Sequence, residues 1–247
     1  NPETTLEEAQ LHKLEEICKK LNLQPADSVI EIGTGWGGFA IHAAGKYGCH
    51  VTTTTISDAQ YEEANRRVEA AGLSDKITLL QSDYRELSGQ YDKLVSIEMI
   101  EAVGHRFLPD FFQKCGELLK PDGKMLLQAI TIADQKYEQY VRTVDFIQRY
   151  IFPGGCLPSN NRMVQLIADK TDMVVRQIDD FGFDYARTIE DWRCRFHQAY
   201  SSLQKQGYDE TFRRLWDYYL CYCQGGFLER SISVVHVVAT RPGNRNL

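Results

Sequence analysis

The sequence predicts an α/β fold, a seven-stranded mixed sheet with helices on both faces. Short apolar runs rich in β-branched residues alternate with helix-like patterns along the first half of the chain. That alternation is typical of a sheet whose parallel strands are buried beneath helices. A glycine-rich turn follows the first apolar run, and two later apolar runs complete the sheet.

The individual elements follow from periodicity and from the residues that bound each run. An amphipathic helix over 5–23 begins at Thr4 or Thr5, residues whose hydroxyls cap helix N termini. Helices are predicted near 37–46, 58–71 and 105–119. The predicted strands are 28–32, 50–56, 76–80, 93–97, 124–130, 173–178 and 233–240.

Two long stretches without strand patterns interrupt the sheet, at 132–170 and 180–231. Both are predicted to be helical and aromatic-rich, as in "DFIQRYIFPGGCLPS" and "FGFDYARTIEDWRCRF". Insertions of this length between core elements commonly form lids or substrate walls. No repeat or linker divides the chain, so residues 1–247 are predicted to form a single domain with 1–23 as its N-terminal helix.

Composition excludes several classes of function. The net charge of −6 and pI near 5.6 argue against a nucleic-acid binder, which needs clustered Lys and Arg. The seven cysteines form no C-x-x-C pair and no Cys/His spacing typical of a metal site, so reduced thiols in a cytoplasmic protein are expected. No apolar run reaches the roughly 18 residues of a membrane span, so any membrane contact is expected to be peripheral.

The stretch "VIEIGTGWGGF" ends the first predicted strand in a glycine-rich turn that fits two ligand-binding patterns. Gly33, Gly35 and Gly38 satisfy G-x-G-x-x-G, which is typical of dinucleotide-binding proteins. Glu31, Gly33, Gly35 and Gly37 satisfy [DE]-x-G-x-G-x-G, which is typical of S-adenosylmethionine methyltransferases. Both patterns need backbone without Cβ so that an adenosyl ligand can approach. The glycines alone do not decide between them.

Glu31 favours S-adenosylmethionine, because a carboxylate attracts ammonium and sulfonium charges and repels a pyrophosphate. No tyrosine stands in the Tyr-x-x-x-Lys pattern of short-chain dehydrogenases. Further candidate ligands are Thr55 at the end of the second strand and Gln60 in the next helix. After the third strand, Asp83 either accepts a hydrogen bond from the adenine amino group, beside Tyr84, or caps a helix.

An ordered set of motifs resembles the cyclopropane-fatty-acid synthase family, which includes mycolic acid and plant cyclopropane synthases. The resemblance runs from about Leu6 to Gly243. Its most specific pieces are "GTGWGGFA", "TTISDAQ", "DYREL", "SIEMIEAVGH", "YIFPGGCLPS", "FGFDYARTIEDW" and "YYLCYCQGGF". It implies a Rossmann-like class I methyltransferase fold whose helical insertions form a lipid-binding cap. The implied reaction transfers a methyl group from S-adenosylmethionine to the double bond of an unsaturated phospholipid acyl chain, followed by ring closure.

That chemistry requires a base and an apolar pocket, because alkene attack leaves a carbocation that must lose a proton before water reaches it. The resemblance implies that a bound bicarbonate is the base, held by Glu101, Tyr185 and the backbone at Ile130. Gln128 stands where many members have histidine, as in the plant-type branch, and its amide can donate a hydrogen bond but cannot titrate. Cys223 matches a family cysteine once proposed to be catalytic, and we predict that it packs.

A lipid substrate would account for the insertions. Apolar residues for an acyl channel are Phe146, Ile147, Tyr150, Ile151 and Phe152, and candidates for phosphate contacts are Arg142, Arg149 and Arg162. The expected location is cytoplasmic, peripheral to the inner face of the membrane, and a homodimer fits the same picture. A Tyr-Ser-Cys segment of the family has no match before Leu6, and the chain begins at Asn1 without methionine, so an upstream segment is expected.

Three functions remain open from the sequence. The first is a cyclopropane-forming methyltransferase. The second is a related lipid C-methyltransferase that makes a methyl or methylene branch and differs in how the cation is quenched. The third is a non-catalytic lipid-binding relative that retains the fold.

Overall fold

A single seven-stranded sheet organises the computed structural model, which describes residues 3–245. Its strands are β1 (Ser28–Ile32), β2 (His50–Thr55), β3 (Ile77–Gln81), β4 (Tyr91–Ile97), β5 (Leu119–Ile132), β6 (Val174–Asp180) and β7 (Ile232–Thr240), in the order β3-β2-β1-β4-β5-β7-β6. The first five strands are parallel, and β7 runs antiparallel between β5 and β6. The predicted mixed sheet of Rossmann-like type is confirmed. Residues 1–2 of the predicted N-terminal segment 1–23 lie outside the described residues.

Helices cover both faces of the sheet. They are α1 (Leu6–Leu21), α2 (Gly38–Tyr47), α3 (Asp58–Ala70), α4 (Leu108–Leu118), α5 (Asp134–Tyr140), α6 (Phe146–Tyr150), α7 (Asn160–Lys170), α8 (Gly182–Lys205) and α9 (Glu210–Leu228). Short 3-10 turns lie at Tyr84–Glu86, Ile100–Ala102 and His105–Phe107. Of the two predicted cap residues, Thr5 is the N-cap of α1, and it forms a capping box with Glu8.

Successive residues of each central strand enter two separate cores, because side chains alternate across a sheet. Ile30 and Leu94 pack with Phe111 of α4 on one face. Val29 packs with Phe39 of α2 on the other face. This burial on both sides explains why the strands read as continuous apolar runs.

Two boundaries differ from the prediction. Strand β5 begins at Leu119 instead of residue 124, because Leu119 already pairs with Tyr91 before a bulge that precedes the Lys93–Lys124 pairing. Helix α7 lies within the first predicted insertion, yet its buried Met163 joins the core beside α4. The part of that insertion lying outside the core is therefore 133–159, and the second insertion is the α8–α9 hairpin.

Candidate functional site

A cleft of about 880 Å³ lies at the carboxyl ends of β1 and β4. The chain connections reverse direction across the sheet at this point, which is where α/β proteins usually bind ligands. Residues from the glycine turn, from α1 and from the end of β4 line it, among them Lys13, Glu31, Gly35, Trp36, Gln60 and Glu98.

The three motif glycines meet different needs. All have positive φ, at 96° for Gly33, 52° for Gly35 and 79° for Gly37. A Cβ on Gly33 would lie 3.1 Å from Met99, and one on Gly37 would lie 3.4 Å from Ala64 of α3. A Cβ on Gly35 would meet no described atom within 4 Å. Gly33 and Gly37 therefore permit close packing, whereas Gly35 keeps the cleft open.

Glu31 is a buried acid on the floor of the cleft. Its Oε2 accepts a 2.6 Å hydrogen bond from the Thr53 hydroxyl of the neighbouring strand. Burial raises the pKa of Glu31 to about 7, and the bond from Thr53 opposes that rise. A positively charged group bound in the cleft would restore full ionisation, because opposite charge favours the carboxylate.

Two candidate ligands were predicted near the end of β2; one of them lines the cleft, and the other holds the first in place. Gln60 lines the cleft. The Thr55 hydroxyl donates to Gln60 Oε1 at 2.8 Å, so it orients the amide. Thr55 is not among the described residues that line the cleft.

Asp83 and Tyr84 both contact other residues of the protein. Asp83 accepts from the backbone N–H of Arg85 at 2.9 Å and pairs with its guanidinium, which lowers the pKa of the carboxyl. Asp83 thus caps the 3-10 turn at Tyr84–Glu86, and its contact with an adenine amino group stays a prediction. The partly buried Tyr84 ring packs edge-on against Phe111 of the core at 5.5 Å. Neither is a described lining residue of the cleft.

A second group of polar residues centres on Glu98, which immediately follows β4. Its φ is 51°, a left-handed value that costs a residue with a Cβ on the order of 1 kcal/mol. The Glu98 N–H donates to the Gln128 carbonyl at 2.9 Å. Its Oε1 accepts from Gln128 Nε2 at 2.6 Å, and its Oε2 accepts from the Tyr185 hydroxyl at 2.7 Å. Three contacts thus hold this strained residue.

A buried chain of hydrogen bonds fixes the orientation of Gln128. Lys20 Nζ lies 2.9 Å from His236 Nδ1 and forms a 2.5 Å ion pair with Asp179. An ammonium has no acceptor, so Nδ1 accepts and His236 Nε2 donates to Gln128 Oε1 at 3.0 Å. Burial, reinforced by Lys20, lowers the pKa of His236 to about 3. Neutral His236 therefore turns the amide N–H of Gln128 toward Glu98.

Glu101 is a second buried acid beside Glu98. Its Oε1 accepts from the Ile130 N–H at 2.5 Å, and its Oε2 is buried with no hydrogen-bond partner among the described residues. Its carbonyl accepts from the Cys156 N–H at 2.8 Å, which ties the first insertion to the site. Burial and then the charge of Glu98 raise the pKa of Glu101 to about 8.

The second insertion supplies Tyr185 and Cys223. Tyr185 stands in the first turns of α8, with its ring 4.9 Å from that of Phe227, and burial raises its pKa well above the usual value. Cys223 packs beside the same α8–α9 cluster. Burial raises its pKa to about 12, so it is a thiol at neutral pH and a poor nucleophile.

The sequence predicted one site for Glu101, Gln128, Ile130 and Tyr185, and the structure places them together. Glu98 was not predicted. Its signal was available, because the first residue after a parallel strand lies at the sheet edge where ligands bind. His236 faces Gln128 across the β5–β7 pairing. No spacing in the sequence reveals that register.

Residues 3–245 lack both a metal-binding cluster and a membrane-spanning helix. No three His, Cys, Asp or Glu side chains come together as a metal site. No helix in that range combines the length and apolarity needed to cross a bilayer.

Comparison with known proteins agrees with this geometry. The family model for mycolic acid cyclopropane synthetase matches residues 1–237. The chain is 39% identical over 236 residues to Escherichia coli (strain K12) cyclopropane-fatty-acyl-phospholipid synthase, covering 96% of this chain and 59% of that protein. It is 38% identical over 240 residues to Mycobacterium tuberculosis tuberculostearic acid methyltransferase UfaA1, covering 97% of this chain and 56% of the relative. The chain therefore spans less than two thirds of these relatives.

Solved structures show the same fold. The cyclopropane synthase MmaA2 from Mycobacterium tuberculosis superimposes with a TM-score of 0.90 at 26% identity, covering 97% of this chain and 87% of that one. The mycolic acid cyclopropane synthase CmaA1, complexed with SAH and CTAB, gives 0.89 at 27% identity with the same coverage. The fold of these proteins thus matches that of this chain over nearly its whole length. This chain belongs to the mycolic acid cyclopropane synthetase family.

Proposed function

We propose that the protein is an S-adenosylmethionine-dependent methyltransferase that forms a cyclopropane ring on the double bond of an unsaturated phospholipid acyl chain. The observation that carries the proposal is the junction of two features at one edge of the sheet. A glycine-lined cleft opens beside a buried cluster of acids, and an aromatic insertion covers that cluster. The relatives named above support both the cofactor and the lipid class.

The residues of the cleft fit S-adenosylmethionine. Gly35 offers backbone with open space in front of it, and Glu31 offers a buried carboxyl for a cationic ligand. Gln60, held by Thr55, adds an amide for a polar contact. When bound, S-adenosylmethionine supplies an electrophilic methyl group that an alkene can attack without an activated protein nucleophile.

The aromatic residues of the insertions suit an acyl chain and a developing cation. Tyr219 of α9 lies near Glu98: burial, and then nearby charges that include Glu98, raise the pKa of Tyr219. The Tyr219 ring is 6.0 Å from the ring of the exposed Phe152. Phe152 and Tyr219 therefore form an aromatic path from the protein surface to Glu98 and Glu101. Aromatic faces stabilise positive charge and exclude water, which protects a carbocation until a proton is removed.

Bicarbonate fits the observed residues poorly. The three donors that the resemblance assigns to it are already taken, since Gln128 and Tyr185 donate to Glu98 and the Ile130 N–H donates to Glu101. An added anion would have to displace one carboxylate and lie against the other. We therefore leave bicarbonate out of the proposed reaction.

Product analysis tests the proposed function. The protein is incubated with methyl-labelled S-adenosylmethionine and vesicles of dioleoyl phosphatidylglycerol, and the lipids are extracted. We expect label in the acyl chains and upfield cyclopropane methylene protons by NMR. Vinylidene protons of the same product mass would instead indicate a methylene branch. Cofactor binding without labelled lipid would contradict the proposal and favour a non-catalytic relative.

We further propose that the protein meets the bilayer through an aromatic face, defined as Phe146, Tyr150, Phe152, Tyr218 and Tyr222. Phe146 and Tyr218 pack edge to face at 4.7 Å, and Tyr150, Phe152 and Tyr218 are each more than half exposed. Among the three predicted arginines, Arg149 lies 5.4 Å from the Tyr150 ring. The exposed Arg142 pairs with the exposed Glu138 of α5, and Arg162 donates to Gln165.

Removing the aromatic face should weaken membrane binding. The double variant Tyr150→Ser with Phe152→Ser is expected to lower vesicle partitioning about tenfold or more, because two exposed rings no longer enter the lipid interface. Tyr208→Ser is the matched control, since Tyr208 is also an exposed aromatic but lies at the α8–α9 turn. Cosedimentation with vesicles measures both. Equal partitioning of the double variant and wild type would contradict this docking surface.

A further inference from the structure

We propose that the carboxylate of Glu98 is the built-in base of the reaction and takes the place of a bound bicarbonate. This inference rests on the proposed function. Glu98 offers two oxygens on one carbon, as bicarbonate does, and they occupy the Gln128 and Tyr185 donors that the resemblance assigns to the anion. The base is thus covalently part of the chain.

The backbone indicates that this placement is maintained against strain. Glu98 is one of three described non-glycine residues with positive φ, with Asn22 and Arg230. Asn22 is an exposed helix cap, where such conformations are common. Glu98 instead lies at the end of a core strand, partly buried, with both carboxylate oxygens bonded. Strain at such a position is a frequent sign of a functional side chain.

The groups around Glu98 suit a proton acceptor. Gln128 is held by neutral His236, so it donates to the carboxylate and does not compete for the proton. Lys13 of α1 faces Glu98 with a pKa lowered by burial. Glu101, Tyr185 and Tyr219 are the other titratable groups whose pKa values the charge of Glu98 raises, in each case after burial as the larger cause. Glu98 also lines the cofactor cleft, so it borders both the methyl source and the aromatic insertion.

The step balances without any added reactant. Once an alkene carbon has bonded to the methyl carbon, with the S–CH3 bond broken and S-adenosylhomocysteine as the leaving group, the neighbouring carbon of the acyl chain would bear the positive charge. A Glu98 oxygen takes one proton from the new methyl group. The electron pair of that C–H bond forms the third side of the ring at the cationic carbon. Glu98 leaves the step protonated, and release of that proton to solvent restores it.

Chemical rescue tests the proposal. In carbonate-depleted buffer we expect wild-type turnover on dioleoyl phosphatidylglycerol vesicles to be independent of added bicarbonate. Glu98→Gly should turn over about a hundred to ten thousand times more slowly, the usual contribution of a positioned base. Millimolar bicarbonate or formate should restore part of that rate, because the vacated donors can then hold the anion. Glu98→Gln should be slow and resist rescue, since its side chain fills the space.

Binding measurements give a readout that does not depend on turnover. Labelled ¹³C-bicarbonate should show NMR line broadening with Glu98→Gly and none with wild type. Calorimetry with S-adenosylhomocysteine should show that Glu98→Gly still binds the ligand, which separates loss of the base from loss of the cleft. Glycine suits the positive φ of residue 98, so the variant is expected to fold, and Asn22→Gly measures the stability gained by relieving a similar φ.

The two possible failures are distinct. Wild type that makes no labelled lipid contradicts the proposed function, and the inference falls with it. Wild type that is active but requires bicarbonate overturns the inference alone. A Glu98→Gly variant that retains full activity in carbonate-depleted buffer does the same.

Discussion

Replacing Gly35 by Val is expected to weaken binding of S-adenosylmethionine at least about a hundredfold, or roughly 2.7 kcal/mol. The new Cβ would point into space with no described atom within 4 Å, at the wall of the cleft. No described atom of the protein opposes the new Cβ, although the positive φ strains a Val there, whereas a ligand that packs on the turn would collide with the side chain. Isothermal titration with S-adenosylhomocysteine measures the loss.

Gly72→Val separates occlusion of the cleft from backbone strain. Gly72 has a φ of 66°, close to the 52° of Gly35, and a Cβ there also meets no described atom within 4 Å. It lies in the turn after α3 and is not a described lining residue of the cleft. Both variants should lose similar stability in thermal unfolding, while only Gly35→Val loses the ligand. Equal ligand affinity in the two variants would show that the turn is not the cofactor cradle.

The fold could be predicted from the sequence because local residue patterns determine its strands and helices. Strands buried on both faces read as apolar runs, and Gly48 with its positive φ ends α2 where the pattern stops. The start of β5 was missed because "KPDGK" reads as a turn, although the strand pairing continues across the bulge. Only the neighbouring strand reveals that continuity.

The acid cluster could be predicted from the sequence only in part. Glu101, Gln128 and Tyr185 belong to quoted motifs, and the structure brings them together around one point. Which group accepts the hydrogen bonds from Gln128 and Tyr185 depends on the φ of residue 98. No sequence pattern predicts a single dihedral angle. Asp83 illustrates the reverse case, in which a motif position is occupied by a local cap and an ion pair with Arg85. Sequence identifies the members of a site more readily than their partners.

Glu101 should make the folded protein less stable as pH rises toward 8. Its pKa is about 8 in the folded state against an ordinary 4.5, with burial as the larger cause and the charge of Glu98 as the second. Between these values the native state holds a proton that the unfolded state has released. Its contribution is therefore fully present below about pH 4.5 and is lost as pH rises through about 8.

The expected size of this effect is large. A shift from 4.5 to about 8 corresponds to about 4–5 kcal/mol when the titration is complete. Glu31 acts in the same direction up to about pH 7. His236, with a pKa lowered to about 3, acts in the opposite direction below its ordinary 6.5 and contributes no slope above it. The slope between pH 6.5 and 8 thus reports mainly the two buried acids.

Glu101→Gln isolates the contribution of Glu101, because an amide keeps an oxygen for the Ile130 N–H but does not titrate. Urea unfolding of wild type and variant at intervals from pH 5 to 8 gives the free energy of unfolding. The difference between the two proteins should move steadily in favour of the variant as pH rises. Glu117→Gln is the control, since an exposed acid with a lowered pKa is ionised in both states across this range. Parallel curves for wild type and Glu101→Gln would show that Glu101 is already ionised in the folded protein, and that two adjacent carboxylates share the site without a proton between them.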